Sequence, residues 1–86
     1  MGQSDMDLLA LYERMQANDR AHRENVAQSW RLFGEKVRDA RKAAGVSGRE
    51  MARRMGISAP TLSDLELGRR HWTLPRLRQF LEQLKP

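Results

Sequence analysis

The stretch Val46–Gly68, VSGREMARRMGISAPTLSDLELG, decides how this chain folds. Ser47, with Glu50 three residues later, has the form of a helix-opening capping box. Met51, Ala52 and Met55 then form the inner face of a helix that ends near Met55. Gly56 supplies a tight turn, and Ser58 is placed to cap a second helix. Pro60 is tolerated in a first turn, where backbone N–H groups lack partners anyway. Leu62 and Leu65 recur three apart, and Gly68 stops the helix. The small Ala52 lets the two helices cross closely, while Ile57, Leu62 and Leu65 lock the second against the first. The pattern predicts two short helices at a steep angle, the second projecting outward.

Outward from this core the pattern stays helical. Phe33, Val37, Ala40 and Ala44 recur at spacings of three and four and predict a helix over 30–44, with Lys36, Arg38 and Lys42 mostly outward. Gly45 follows as its left-handed terminator. After the basic loop Arg69-Arg70-His71, a last helix starts near Leu74-Pro75, with Leu77, Phe80, Leu81 and Leu84 as one stripe. Trp72 is expected as a lid on the core. Nothing alternates with period two, so no strands are expected. The fold class is all-α: a small bundle of four core helices preceded by an extra N-terminal helix.

The chain has 86 residues, room for one small domain. It has no cysteine, which removes disulfides, thiolate zinc sites and thiol nucleophiles. No apolar run is long enough to cross a membrane. The acidic start lacks a signal-peptide core, and an intracellular location is expected. Charge divides the chain in two. Residues 1–29 hold three basic and five acidic residues, net −2; residues 30–86 hold thirteen and six, net +7. A basic domain behind an acidic arm fits a polyanionic partner; a solvated arginine-rich surface fits the charge equally well.

At this point the sequence resembles the phage-repressor and Cro, or XRE-like, family of helix-turn-helix domains. The resemblance spans roughly Phe33 to Leu84 and is densest where Met-Ala…Gly-Ile-Ser…Leu-Ser-Asp-Leu-Glu-Leu-Gly stands at family spacing. It implies that the helix from Ala59 to Leu67 enters the DNA major groove. Ala59, Pro60, Thr61, Ser63 and Asp64 would face the bases. Gly48, Arg49 and Ser58 would lie on the phosphate side at helix N-termini. Arg69, Arg70 and His71 would lie beside the backbone. It further implies an ion pair between Arg41 and Glu66, whose loss would be costly if it is partly buried. Two positions and the composition of one helix depart from the family pattern. Gly48 replaces a common glutamine, Leu67 replaces a polar residue, and the reading helix holds no Arg, Lys, Asn or Gln. Those side chains make the strong bidentate base contacts. Affinity is therefore expected mainly from phosphate contacts and counterion release, with some specificity from DNA shape.

No enzyme, metal or cofactor is expected. His22 and His71 are isolated, Asp5 and Asp7 favour a helix start, and Ser63-Asp64 has no histidine partner nearby. Met51 and Met55 sit at core positions, and there is no phosphate-binding glycine loop. The arm, residues 1–29, carries the stripe Leu8, Leu11, Tyr12 and Met15, then turns polar. It reads either as one long helix, even continuous with the next, or as a frayed segment. Many family members close their core with a further helix beyond the position of Leu84. The stripe is expected to cover that surface, within the chain or across a dimer.

The expected function is sequence-specific regulation of transcription, as a repressor acting as a homodimer on a double-stranded DNA operator in the cytoplasm of a bacterium or phage-infected cell. Polar Asn18, His22 and Asn25 argue against a long coiled coil in the arm. The rival readings are a protein-interaction adaptor or antitoxin with a protein partner on the arm, and a non-specific nucleic-acid binder.

Overall fold

The computed structural model describes residues 3–18 and 23–85, with side chains over 6–16 and 28–85. Among the described residues five helices follow in order: α1 (Gln3–Asn18), α2 (Arg23–Ala43), α3 (Gly48–Met55), α4 (Ala59–Glu66) and α5 (Leu74–Leu84). There is no strand among the described residues. The fold is all-α, as the 3.6-residue periodicity implies.

The caps fall where short polar side chains meet helix starts. Ser47 Oγ accepts from the Glu50 amide at 3.1 Å, Ser58 Oγ from Thr61 at 3.2 Å, and Thr73 Oγ1 from Arg76 at 3.3 Å. Gly56 ends α3 at φ 69°, in the left-handed region, and the Ile57 amide reaches back to the Ala52 carbonyl at 3.0 Å.

The core gathers every aromatic residue of the chain. Tyr12 of α1 lies 6.0 Å from both Trp30 and Phe33 of α2, ring centre to ring centre. Phe33 meets Trp72, and Trp72 meets Phe80 of α5, in edge-on contacts. Such offset pairs add to the area they bury. Trp72 is 1 % exposed, and its indole N–H donates to the Leu65 carbonyl at 3.2 Å, so the ring closes the core without leaving a polar atom unpaired. Met51, Leu62, Leu65 and Leu77 fill the centre.

Two readings of the arm meet the structure here. Helix α2 begins at Arg23, seven residues ahead of the boundary at Trp30. The added turns, residues 23–29, hold Val26 as their only sizeable aliphatic residue. Helix α1 is separate from α2 and packs on both α2 and α5. A continuous rod would hold Tyr12 and Trp30 roughly 27 Å apart, at about 1.5 Å per residue, whereas the rings touch. Leu8 and Tyr12 are buried in the common core, with Leu11 and Met15 packed against it. The side chains of Asn18, Asn25 and Val26, together with His22, lie outside the described residues.

Candidate nucleic-acid interface

Helices α3 and α4 are set at an angle by the Gly56 turn and held by helix α2 behind them. The α2–α4 crossing is unusually close. A Cβ at Gly34 would overlap the carbonyl oxygens of Leu65, at 2.6 Å, and Glu66. A Cβ at Gly68 would lie 2.6 Å from Arg31 Cα, and Gly68 itself takes φ 79°. Glycine at these two positions lets the end of α4 rest on the backbone of α2. Gly34 had no role in the sequence reading, because a glycine inside a helical pattern carries no sign of what it touches.

Behind this crossing lies the Arg41–Glu66 pair. Arg41 Nε donates to Glu66 Oε2 at 2.8 Å, Nη2 to Oε1 at 3.1 Å, and Nη1 to the Val46 carbonyl at 2.9 Å. The two residues are each 8 % exposed and are the only buried charges among the described residues. The fork fixes α4 against α2 and against the loop entering α3.

On the outer side, Ala59, Pro60 and Ser63 are exposed, while Thr61 and Asp64 are half-buried. Thr61 is occupied locally: its hydroxyl lies 2.7 Å from Ser58 Oγ. The first-turn amides of α3, at Gly48 and Arg49, have no acceptor inside the helix. Ser58 stands at the N-terminus of α4, exposed.

The basic loop is held from two sides. The amides of Arg69 and Arg70 donate to the Asp64 carbonyl at 2.8 and 3.2 Å. Their guanidinium groups stand 3.8 and 3.7 Å from the Asp64 carboxylate, too far for strong pairing and largely in water. His71 stacks on Trp30, ring centres 4.7 Å apart and planes 11° off parallel. That stack ties the loop to α2 and could not be read from residues 41 positions apart in sequence.

Glu50 behaves differently from a reciprocal capping box. Its carboxylate accepts from Arg53 and, at 2.9 Å, from Arg54 on the next turn. Hydrogen bonds from Arg53 and then Arg54 hold its pKa down at about 2. Arg54 also donates to the Gln83 carbonyl at 2.9 Å, and Gln79 donates to the Met55 carbonyl at 2.8 Å, so α5 is pinned to the end of α3. The Arg53–Arg54 side of α3 is thus committed to structure.

An open groove of about 290 Å³ runs between α2, the start of α3 and α4. Arg38, Gly48, Ala59, Ser63 and Leu67 line it, over the Arg41–Glu66 pair. Arg38 is exposed, as its outward place in the helical pattern implies. Among the described residues no group of His, Asp and Glu is arranged to hold a metal ion. No helix there is long and apolar enough to cross a membrane.

A glycine-turned helix pair whose second member is capped and flanked by arginines has the form of a helix-turn-helix domain. The family model described as a helix-turn-helix domain matches residues 32–85. The chain belongs to this family, in its phage-repressor and Cro-like type. No curated protein and no solved structure matches it.

Proposed function

We propose that this protein is a sequence-specific transcriptional regulator, a repressor that occupies a DNA operator as a homodimer. In this reading α4 enters the major groove N-terminus first. Ala59, Pro60, Thr61, Ser63 and Asp64 face base edges. Gly48, Arg49, Ser58, Arg69, Arg70 and His71 meet phosphates on either side. What supports it is an α3 whose first amides have no acceptor within the helix, beside a Ser58-capped α4 whose first two residues are exposed. Contacts to phosphate fix position; the few polar groups on α4 and the shape of the duplex give sequence preference. Two copies on one face of DNA would multiply a weak single-module affinity through effective concentration. The function is binding, not catalysis, and its setting is the cytoplasm of a bacterial or phage-infected cell.

The test is selection of bound duplexes from a random pool at low and near-physiological salt. Enrichment of a two-fold symmetric site, with half-sites roughly 34–36 Å apart, supports the reading. Binding that vanishes with salt and enriches nothing overturns it.

One observation favours a second reading. Helix α4 has no Arg, Lys, Asn or Gln for bidentate base contacts. A protein-interaction adaptor or antitoxin would need none. It would keep its partner when Arg69 and Arg70 are reversed in charge, whereas a DNA-binding regulator would not.

A further inference from the structure

Arg38 stands on α2, outside the set of residues expected to touch DNA. It is exposed, and it forms one wall of the groove whose other wall is Ala59 and Ser63 of α4 with Leu67, the C-cap. These three recur every four residues, so the groove follows one flank of the reading helix. We propose that Arg38 is a DNA-contacting residue that holds a backbone phosphate at the mouth of this groove. The proposal rests on the DNA-binding reading above.

Charge supports it first. The groove floor contains the Arg41–Glu66 pair, which is internally neutral. Arg38 is then the net charge of the lining. Arg41, Arg53, Arg54, Arg69 and Arg70 each lie beside a carboxylate, and among the described residues Arg38 does not. A phosphate therefore meets a guanidinium that no carboxylate among the described residues already pairs.

Space supports it next. The groove is open because two of its positions carry little or no side chain, Gly48 and Ala59. A Cβ at Gly48 would have only the Arg41 guanidinium near it, at 3.8 Å. The opening is thus bordered by a free cation and by the first amide of α3.

Position supports it last. Asp64 lies about 100° further round α4 than Ser63, and it engages Arg69 and Arg70. The loop arginines and Arg38 serve different flanks of the helix. With α4 filling the major groove, a cation on the neighbouring α2 meets the wall of that groove, which is phosphate. The planar guanidinium suits phosphate through paired N–H bonds. Arg38 also supplies positive charge beside a helix that has none of its own.

The experiment compares the full chain with Arg38→Ala, Arg38→Lys and, as a charge-matched control, Arg78→Ala on the exposed face of α5. Binding is followed by fluorescence anisotropy against the selected duplex and a scrambled one, across a salt series. Arg38→Ala is expected to weaken both duplexes by the same factor, about tenfold at low salt. It should also make the slope of log K against log salt shallower by about 0.9, one phosphate contact. Arg38→Lys and Arg78→Ala should keep the wild-type slope. Arg38→Gln removes the charge but keeps a polar side chain with an unbranched stem, and is read in the same way should the alanine variant melt early.

An unchanged slope in Arg38→Ala or Arg38→Gln, with wild-type binding intact, overturns the proposal alone. A loss confined to one base pair of the selected site also overturns it, since that is base reading. A wild type that binds neither duplex overturns the DNA-binding reading and this proposal together.

Discussion

Arg41 and Glu66 meet in a two-pronged ion pair at 2.8 and 3.1 Å, 25 residues apart in sequence and almost wholly out of water. The cost of burying both charges is offset only while each has its partner. Removing one leaves the other uncompensated, at about 3–5 kcal/mol. Glu66→Ala should therefore lose most of the stability of a domain this size, read by urea denaturation. The double variant Arg41→Met, Glu66→Leu should regain much of it, because an apolar pair of similar volume has no charge to strand. Equal losses in the single and double variants would contradict this account.

Gly34 gives a prediction of opposite sign to helix propensity. Alanine is favoured over glycine in a helix by about 1 kcal/mol. Yet here the added methyl would overlap the carbonyls that end α4. Gly34→Ala is expected to destabilise by about 1–3 kcal/mol, the range for an overfilled core. A raised Tm would show that α2 and α4 can separate more easily than their geometry implies.

Acid should reach Glu50 late. Its pKa falls from 4.5 to about 2 on folding, through the hydrogen bonds of Arg53 and then Arg54. A carboxylate with a lowered folded pKa stabilises fully above its unfolded value and loses that contribution as pH falls through the folded one. Wild type and Glu50→Gln should thus differ in Tm near neutral pH, and converge between about pH 4.5 and 2. The difference should shrink in high salt, since these side chains lie at the surface. A gap that persists at pH 2 would point to shape, not charge.

Arg69 and Arg70 are free to change without harm to the core, because both are exposed. Arg69→Glu with Arg70→Glu should leave the thermal melt unchanged. DNA binding should fall sharply, and the salt slope should lose about 0.9 for each phosphate contact removed. Retained DNA affinity would shift weight to the protein-interaction reading.

The arm is testable through Tyr12. We propose that α1 acts as a lid on the core within its own chain. Tyr12→Ala should then cost about 3 kcal/mol, as for large buried aromatic side chains. Removal of residues 1–22, which leaves α2 whole, should lower Tm as well. Sedimentation of the same truncation reports whether the arm also supports a dimer. A truncation with wild-type stability and self-association would remove both roles.

Much of the fold was legible because its signals are local. Ser47, Ser58 and Gly56 act on backbone groups within a turn of themselves, and the leucine spacings of α4 and α5 repeat within a few residues. The helix starts and stops therefore fell near their expected places. The early start of α2 did not, since a polar stretch such as Arg23–Ser29 has no apolar stripe to announce it. The candidate site divided in the same way. Ser58, Arg69 and Arg70 could be named from their neighbours in sequence. Arg38 and the His71–Trp30 stack could not, because each depends on what another helix places opposite it.

The sequence by itself determined an all-α chain with a glycine-turned helix pair and a basic second part, through capping, periodicity and charge. The tertiary structure alone decided three things: that α1 returns to touch Trp30 and Phe33, that Gly34 carries the crossing of α2 on α4, and that Arg38 borders α4 across a groove. Capping and periodicity act over a few residues, whereas these contacts join residues far apart. Which faces meet is set by the packing of all five helices at once, and no short stretch of sequence contains that information.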